Sequence, residues 1–256
     1  MQEGPSVVGR VGALLRALAA AEPAGAHTTA LAQRAGIPRP TAHRLLVSLR
    51  GEGLTDRDED DGAWHLGPEC FLLGAAATSR HDVTPVAREV VQRIARVTQE
   101  SAFFSVRRGD ETVCLLREDG SFPIRSHVLH EGVRFPLGVA SAGLVVLAFL
   151  GEHEREAYLA GADLGASYGE QHGPAALAER VAATRERGYA VNPGLVVPGS
   201  WGLGAAVFDA HDEPRWALSI TGIEDRLAPP RQAELGELLL HEAHVLSGRI
   251  RSTTTG

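Results

Sequence analysis

The chain has 256 residues, of which 44% are hydrophobic, and it carries a formal net charge of −7 at pH 7. This length allows one large domain or two modest ones, and the apolar content is sufficient for a buried core. No apolar run approaches the roughly 18 residues of a membrane-spanning helix, which excludes a membrane protein. The negative balance argues against a protein that coats nucleic acid with its whole surface.

Two features predict a cytoplasmic protein. Glycines and arginines interrupt the N-terminal stretch between residues 9 and 16, so it lacks the continuous apolar run of a signal peptide. The two cysteines, Cys70 and Cys114, are too few for the disulfide framework of a secreted domain.

Residues 28–54 have the pattern of two short helices joined by a tight turn. Apolar residues recur at helical spacing over 31–35, and Gly36 supplies a left-handed stop. The second helix is predicted from about residue 40 to residue 51, with polar and basic residues at its start. A helix–turn–helix of this kind exposes the front of its second helix, which fits the major groove of DNA.

The flanking segments complete this module. An apolar stripe at helical period over residues 7–18, with Ser6 as N-cap, predicts a first helix. Residues 54–57 and 63–66 flank the polar turn DEDDG and predict a short hairpin, which makes the module a winged helix–turn–helix. Positive charge is concentrated in one part of this module, because the segment 26–51 contains arginines and no acid. These arginines are Arg34, Arg39, Arg44 and Arg50.

The rest of the chain predicts an α+β domain with an antiparallel sheet. A connecting helix is expected over residues 69–79, and a longer one runs to about Gln99 from Thr84, a cap residue followed by Pro85. The elements predicted next are strands 101–107, 112–117 and 122–127, helices 141–150, 153–160 and 174–187, strands 189–191, 204–208 and 216–221, and a helix from Pro229-Pro230 to about Ile250.

Several longer motifs occur along nearly the whole chain: LAQRAGIPRPTAHRLLVSLRGEGL, WHLGP, RFPLGVASAGLVVLAFL, RERGYAV and AAVFDAHDEPRWALSITG. In this order they resemble the IclR family of bacterial transcriptional regulators. The resemblance implies a winged-helix DNA-binding domain (residues 5–67), a linker helix (68–82) and a GAF-like effector-binding domain (83–252). It also implies a regulator without a cofactor that binds double-stranded operator DNA as a homodimer or tetramer and responds to a small-molecule effector.

In the DNA-binding module the recognition helix should start at Arg39-Pro40, where proline loses no hydrogen bond. Thr41, His43 and Arg44 are expected to point outward. Arginine can reach guanine or phosphate, and threonine suits a phosphate or a thymine methyl group. The complete set of predicted DNA contacts is Thr28, Arg39, Pro40, Thr41, His43, Arg44 and Arg57. The acidic hairpin tip, Asp58–Asp61, is predicted to be a solvated turn held away from the DNA.

The resemblance also implies a set of effector contacts. They are Ser141, Ala142, Gly143, Asn192, Gly202, Ser219 and Thr221. A helix N-terminus built of small residues offers free N–H groups to a carboxylate, and residues two apart on a strand face one side. Each position alone would equally suit ordinary packing. Asn192 replaces an acid common in the family, and Trp201 lies nearby. We therefore expect an effector larger or less polar than a two-carbon acid, namely an organic acid or an aromatic or acyl metabolite.

Two other functions remain open. The acidic hairpin tip favours a small-molecule-binding module that has lost specific DNA binding. An enzyme acting at the effector pocket is the second alternative, with Ser141 as nucleophile, but no base is identifiable. The sequence contains no phosphate-binding glycine loop and no GxSxG motif, so no catalytic residue is predicted.

A metal site is the remaining possibility that histidine spacing raises. The pairs His127-x-x-His130 and His241-x-x-His244 have spacings that a metal could use. No acid or cysteine completes either set, so they are predicted to be surface or packing residues, and no metal is expected. Cys114 lies in the apolar run TVCLL and is predicted to be a small core residue.

Overall fold

The computed structural model describes residues 6–81, 83–125 and 128–254. The chain divides into two compact units, Met1–Asp82 and Val83–Gly256. Within the described ranges, no helix combines the length and the apolar character that crossing a bilayer requires.

The N-terminal unit is a winged helix–turn–helix followed by a further helix. Its elements are α1 (Val7–Ala19), α2 (Thr28–Arg34), α3 (Arg39–Gly51), β1 (Thr55–Arg57), β2 (Trp64–Leu66) and α4 (Pro68–His81). The hydroxyl of Ser6 accepts a hydrogen bond from the Gly9 N–H, which confirms the predicted cap of α1. Gly36 follows α2 with φ of +64°, a left-handed conformation that suits glycine. The two strands pair antiparallel and form the wing.

The core of this unit forms where the three helices meet the wing. The side chains of Leu14, Leu18, Leu31 and Leu46 are fully buried there beside Trp64. The backbone of Trp64 exchanges two hydrogen bonds with Ala26, so the wing is also tied to the segment before α2. The apolar positions that predicted the helices are therefore the positions that hold the unit together.

The C-terminal unit contains a six-stranded sheet with helices on both faces. Its elements are α5 (Thr84–Thr98), β3 (Ser101–Arg108), β4 (Glu111–Glu118), β5 (Arg134–Pro136), α6 (Ser141–Phe149), α7 (Glu152–Gly161), α8 (Gly165–Tyr168), a 3-10 turn (Glu170–His172), α9 (Pro174–Arg187), β6 (Ala190–Val197), β7 (Ser200–Phe208), β8 (Pro214–Ile223), α10 (Glu224–Leu227) and α11 (Pro229–Thr254). The strand order is β5-β4-β3-β8-β7-β6, and every neighbouring pair is antiparallel, as the sequence predicted.

Alternation along the strands gives the sheet two different faces. On β8, Trp216, Leu218 and Ile220 belong to the core beneath α5 and α11. Ser219 and Thr221 alternate with them and therefore face the opposite side, where α6 packs. The α6 face thus receives the small and polar residues of the central strands, and this asymmetry creates room for a cavity.

Two details of the predicted elements are wrong. Residues 122–125 form no strand. Instead, the Phe122 N–H donates to the carbonyl of Gln99, and the edge strand is β5, which pairs with β4 further along the chain. The N-cap of α5 is Val83, and Thr84 is already the first helical residue. The end of the predicted strand, including His127, lies outside the described residues.

Candidate functional site

The front of α3 presents the predicted DNA contacts on an exposed surface. Arg39, Pro40, His43 and Arg44 are exposed, and Thr41 is half-buried. Between them Ala42 and Leu46 are fully buried against the core, so the outward orientation follows from helical periodicity. Among the residues that the structure describes, no side chain caps the N-terminus of α3, and a phosphate would meet the N–H groups of Arg39 and Thr41 there.

Trp64 on the wing organises several of these side chains, although the sequence analysis gave it no role. Its indole N–H donates to the Thr28 hydroxyl at 3.0 Å, and its ring meets the His43 ring edge-on with centroids 6.5 Å apart. The guanidinium of Arg57 lies 5.5 Å from the centre of the same ring. Because Trp64 is only 1% exposed, it forms a fixed support for one residue each from α2, α3 and the wing. The signal available in the sequence was a tryptophan directly after the polar turn DEDDG, where it could support the residues around it.

The acidic tip of the wing satisfies its own turn. A carboxylate oxygen of Asp58 accepts the N–H groups of Asp60 and Asp61, and Asp61 accepts the N–H of Ala63. These hydrogen bonds lower the pKa of Asp58. The carboxylates therefore have a local structural role at the tip.

The effector cavity lies on the α6 face of the C-terminal sheet. It contains about 510 Å³ of empty space, a figure that includes the solvent at its mouth. Of the seven predicted effector contacts, six line it, namely Ser141, Ala142, Asn192, Gly202, Ser219 and Thr221. Gly143 does not line the cavity. A Cβ at this position would lie 3.1 Å from the Pro136 carbonyl oxygen, so the glycine allows α6 to pack closely against the preceding segment.

Two hydroxyls on the cavity wall lack partners. Ser219 Oγ and Thr221 Oγ1 are buried and make no hydrogen bond within the described parts of the chain. They lie on adjacent same-face positions of β8, and Thr221 is paired across the ladder with Gly202. Leaving such groups unpaired costs about 1–3 kcal/mol each. The two hydroxyls are therefore available to a ligand.

The predicted contact Asn192 forms a hydrogen bond within the protein through each polar atom of its side-chain amide. Its Nδ2 donates to the Val139 carbonyl at 2.7 Å, and its Oδ1 accepts the Leu195 N–H at 2.9 Å. Asn192 thus reaches the cavity while it fixes the segment that leads into α6. An isolated sequence position could not reveal this, because the partners are backbone groups of other segments.

The segment 137–139 before α6 is held at each carbonyl. The three carbonyls accept, in chain order, from Tyr158 Oη, Arg180 Nη2 and Asn192 Nδ2, each at 2.7 Å. Burial lowers the pKa of Arg180 to about 10, and burial beside Arg180 also lowers the pKa of His172, whose ring lies against the same segment. Several side chains therefore fix the N-terminus of α6 where it meets the cavity.

Several cavity residues were not predicted as contacts. Ser105, Thr112 and Cys114 come from β3 and β4, and Trp201 comes from β7. Burial raises the pKa of the Cys114 thiol to about 12, in keeping with its predicted place as a small core residue. The alternation of small polar residues with apolar ones along β3 and β4 was the sequence signal that identifies this wall.

The described wall offers no catalytic base for Ser141, since it contains no histidine, aspartate or glutamate. His241 and His244 are exposed on α11. Across the ranges that the structure describes, no group of three histidine, cysteine or acidic side chains could hold a metal ion.

Comparison with known proteins supports the division into two functional regions. Residues 7–59 match the IclR helix-turn-helix domain, and residues 75–248 match the bacterial transcriptional regulator IclR C-terminal domain. The chain is 30% identical over 233 residues to the HTH-type transcriptional regulator BhcR of Paracoccus denitrificans, covering 87% of this chain and 80% of that protein.

Solved structures share the fold. A putative IclR transcriptional regulator from a Silicibacter species superimposes with a TM-score of 0.81 at 20% identity, over 94% of this chain and 96% of that one. An IclR homologue of Microbacterium hydrocarbonoxydans, complexed with 4-hydroxybenzoate, gives a TM-score of 0.74 at 22% identity, over 96% and 100%. The two family matches, which span both units, establish that the chain belongs to the IclR family of transcriptional regulators, with an N-terminal DNA-binding domain and a C-terminal effector domain.

Proposed function

We propose that this regulator binds operator DNA as a homodimer and that a small organic effector in the cavity changes its affinity for DNA. The single observation that carries the proposal is the pair of buried, unpartnered hydroxyls of Ser219 and Thr221 on the cavity wall. A ligand that bonds to both removes the cost of leaving them unpaired. Such a ligand stabilises whichever arrangement of the protein it fits best.

For the DNA contacts we propose that α3 enters the major groove. Arg44 would read a guanine or contact a phosphate, and the N–H groups of Arg39 and Thr41, on either side of Pro40, would receive a phosphate at the N-terminus of α3. Support comes from the exposure of these residues and from the acid-free segment around them. The remaining proposed contacts are Thr28, Thr41, His43 and Arg57.

For the assembly we propose a homodimer, with a tetramer as the larger alternative. Large apolar side chains remain exposed in the N-terminal unit, most of all Val8 on α1, which is 80% exposed, and Phe71 on α4, which is 76% exposed. Exposed side chains of this kind favour burial against a second copy. Two copies would read the half-sites of a pseudo-palindrome, and the linker helices, Pro68–His81, would set their spacing.

For the effector we propose an organic acid or an aromatic or acyl metabolite. The described cavity wall carries no charged side chain, so the N–H groups at the start of α6 would meet a carboxylate. Val133, Phe135 and Trp201 supply apolar surface that a two-carbon acid would leave uncovered. The homologue complexed with 4-hydroxybenzoate supports a ligand of this class. We further infer that the protein acts in the cytoplasm and has no catalytic role, as its family indicates.

The first test is fluorescence-anisotropy binding to the DNA upstream of its own gene, titrated against salt beside a scrambled duplex. We expect sequence-preferring binding that weakens steeply with salt, because phosphate contacts release counterions. Arg44→Ala should weaken specific binding about 10- to 100-fold, the range for one good base contact. Arg88→Ala is the control, since this exposed arginine lies on α5 in the other unit.

Failure of the upstream duplex would lead to selection from random duplexes. If that selection also yields no preferred site, the proposal of specific DNA binding is wrong. Removal of residues 1–67 separates the alternatives: a regulator would lose DNA binding and keep effector affinity, whereas an enzyme would keep its chemistry. If the C-terminal unit bound glyoxylate tightly and ignored 4-hydroxybenzoate and longer acyl acids, the proposed effector class would be wrong.

A further inference from the structure

An open groove on the same unit borders the effector cavity. The groove contains about 750 Å³ of empty space, part of it open solvent, and is lined by Arg125, Val197, Pro198, Gly199 and Ile223, together with Val128 and Ser200. The last two residues also line the effector cavity. A ligand longer than the inner cavity would therefore extend past Val128 and Ser200 into the groove.

Charge is distributed very unevenly over these two connected spaces. Among the described residues that line them, Arg125 is the one charged side chain. The inner wall offers hydroxyls, a helix N-terminus and apolar surface, and the outer groove offers a guanidinium beside apolar surface. Each end thus supplies donors to a different part of one ligand.

The guanidinium of Arg125 is held at the groove by the protein. Its Nε donates to the Phe122 carbonyl at 3.2 Å, and its Nη1 donates to Asp119 Oδ2 at 3.2 Å. Asp119 is shared, because Arg117 Nε donates to its other oxygen at 2.7 Å. The hydrogen bond from this second arginine lowers the pKa of Asp119. The guanidinium of Arg125 thus shares its carboxylate partner with a second arginine.

We propose that the effector is an elongated acid with polar groups at both ends, and that Arg125 binds an anionic group at the outer end. The inner end bonds to Ser219, Thr221 and the start of α6, and an apolar middle passes Val128. This inference rests on the proposed effector function of the cavity and names the ligand class that the cavity and groove together select. Arg125 is then a specificity residue, since it distinguishes a ligand charged at both ends from one charged only inside.

The test compares α,ω-dicarboxylates, from succinate to sebacate, with the monocarboxylates of the same carbon number. Binding to the full-length protein is measured by isothermal titration calorimetry. We expect one chain length at which the dicarboxylate binds about fivefold more tightly than its monocarboxylate partner, the scale of a half-exposed ion pair. In Arg125→Gln this preference should disappear while monocarboxylate affinity is unchanged, which also shows that the variant is folded.

Arg117→Gln is the matched control. It removes an arginine from the same carboxylate, Asp119, but Arg117 lines neither the cavity nor the groove. The control should therefore keep the preference for the dicarboxylate. If wild-type protein binds both series equally, or if both variants lose the preference together, the role of Arg125 is refuted although the cavity still binds acids. If no acid of either series binds, the proposed effector class fails as well.

Discussion

The DNA-binding surface and the effector cavity differ in how far their polar side chains form hydrogen bonds within the protein. Around α3 and the wing, several side chains form hydrogen bonds within the protein: Thr28 accepts from Trp64, Arg39 donates to Thr29 at 3.2 Å, and Arg57 donates to the Gly62 carbonyl. In the cavity, two buried hydroxyls have no partner among the described residues. DNA is a hydrated polyanion and is met by exposed charge on a rigid frame. A small ligand can supply the hydrogen bonds that these two hydroxyls lack within the described protein.

The largest expected effect comes from removing the support of the DNA-binding surface. Trp64→Ala should destabilise the N-terminal unit by about 3–5 kcal/mol, the usual cost of truncating a buried tryptophan. Trp64→Phe keeps an aromatic ring but loses the hydrogen bond to Thr28 and part of the packing, so it should cost less, about 2 kcal/mol. Urea unfolding followed by circular dichroism measures both. Unfolding of Trp64→Ala at wild-type urea concentrations would contradict the supporting role of Trp64.

The second-largest expected effect tests the two unpartnered hydroxyls of the cavity. The double variant Ser219→Ala/Thr221→Val removes both unpartnered hydroxyls, so effector affinity should fall roughly tenfold. The protein without effector should be as stable as wild type, or more stable by about 1 kcal/mol, because a buried desolvated group has been removed. Thermal unfolding with and without the effector reads both quantities.

Thr184→Val is the control for this variant. Thr184 also has a buried hydroxyl without a partner in the described chain, but it lies on α9 and does not line the cavity. It should change stability in the same direction and leave effector affinity unchanged. A double variant with wild-type affinity for the effector would refute the role of the two hydroxyls.

The smallest effect compares the two thiols, one in each region. Burial raises the pKa of both, and that of Cys114 reaches about 12, so its reactive thiolate is scarce until strongly alkaline pH. Iodoacetamide should therefore modify Cys70, which is half-buried, before Cys114, as followed by intact-protein mass spectrometry. Effector should further slow the reaction at Cys114 alone, since only this thiol lines the cavity. Equal protection of both thiols would show that the effector acts elsewhere.

The sequence predicts most of the fold because periodicity and turn residues act locally. The left-handed Gly36 and the alternating face of β8 follow from short patterns. The strand predicted over 122–127 failed for a long-range reason. The ring of Phe122 lies 4.1 Å from the guanidinium of Arg226, a residue of α10 that is about a hundred positions away in the sequence and that no local pattern reveals.

The candidate site was also predictable only where local sequence patterns determine it. The residue types around Ser141, Ser219 and Thr221 indicate a pocket, and these side chains do line one cavity. The engaged amide of Asn192 and the place of Arg125 beside the groove were not predictable. The amide of Asn192 bonds to a carbonyl 53 residues away, and Arg125 lines the groove together with residues 197–200, which are distant in sequence. Which residues of α3 contact bases stays a prediction.

The three tryptophans give the molecule a natural set of optical probes. Trp64 lies beneath the proposed DNA contacts, Trp201 lines the effector cavity, and Trp216 is stacked on Phe104 in the opposite core. Replacing Trp216 by phenylalanine leaves two fluorophores, each next to one proposed binding site. Replacing Trp64 as well leaves Trp201 alone, whose emission would report occupancy of the cavity by a metabolite. Replacing Trp201 in place of Trp64 leaves a single fluorophore beneath the proposed DNA contacts, so the two binding events can be followed in separate variants without an attached dye.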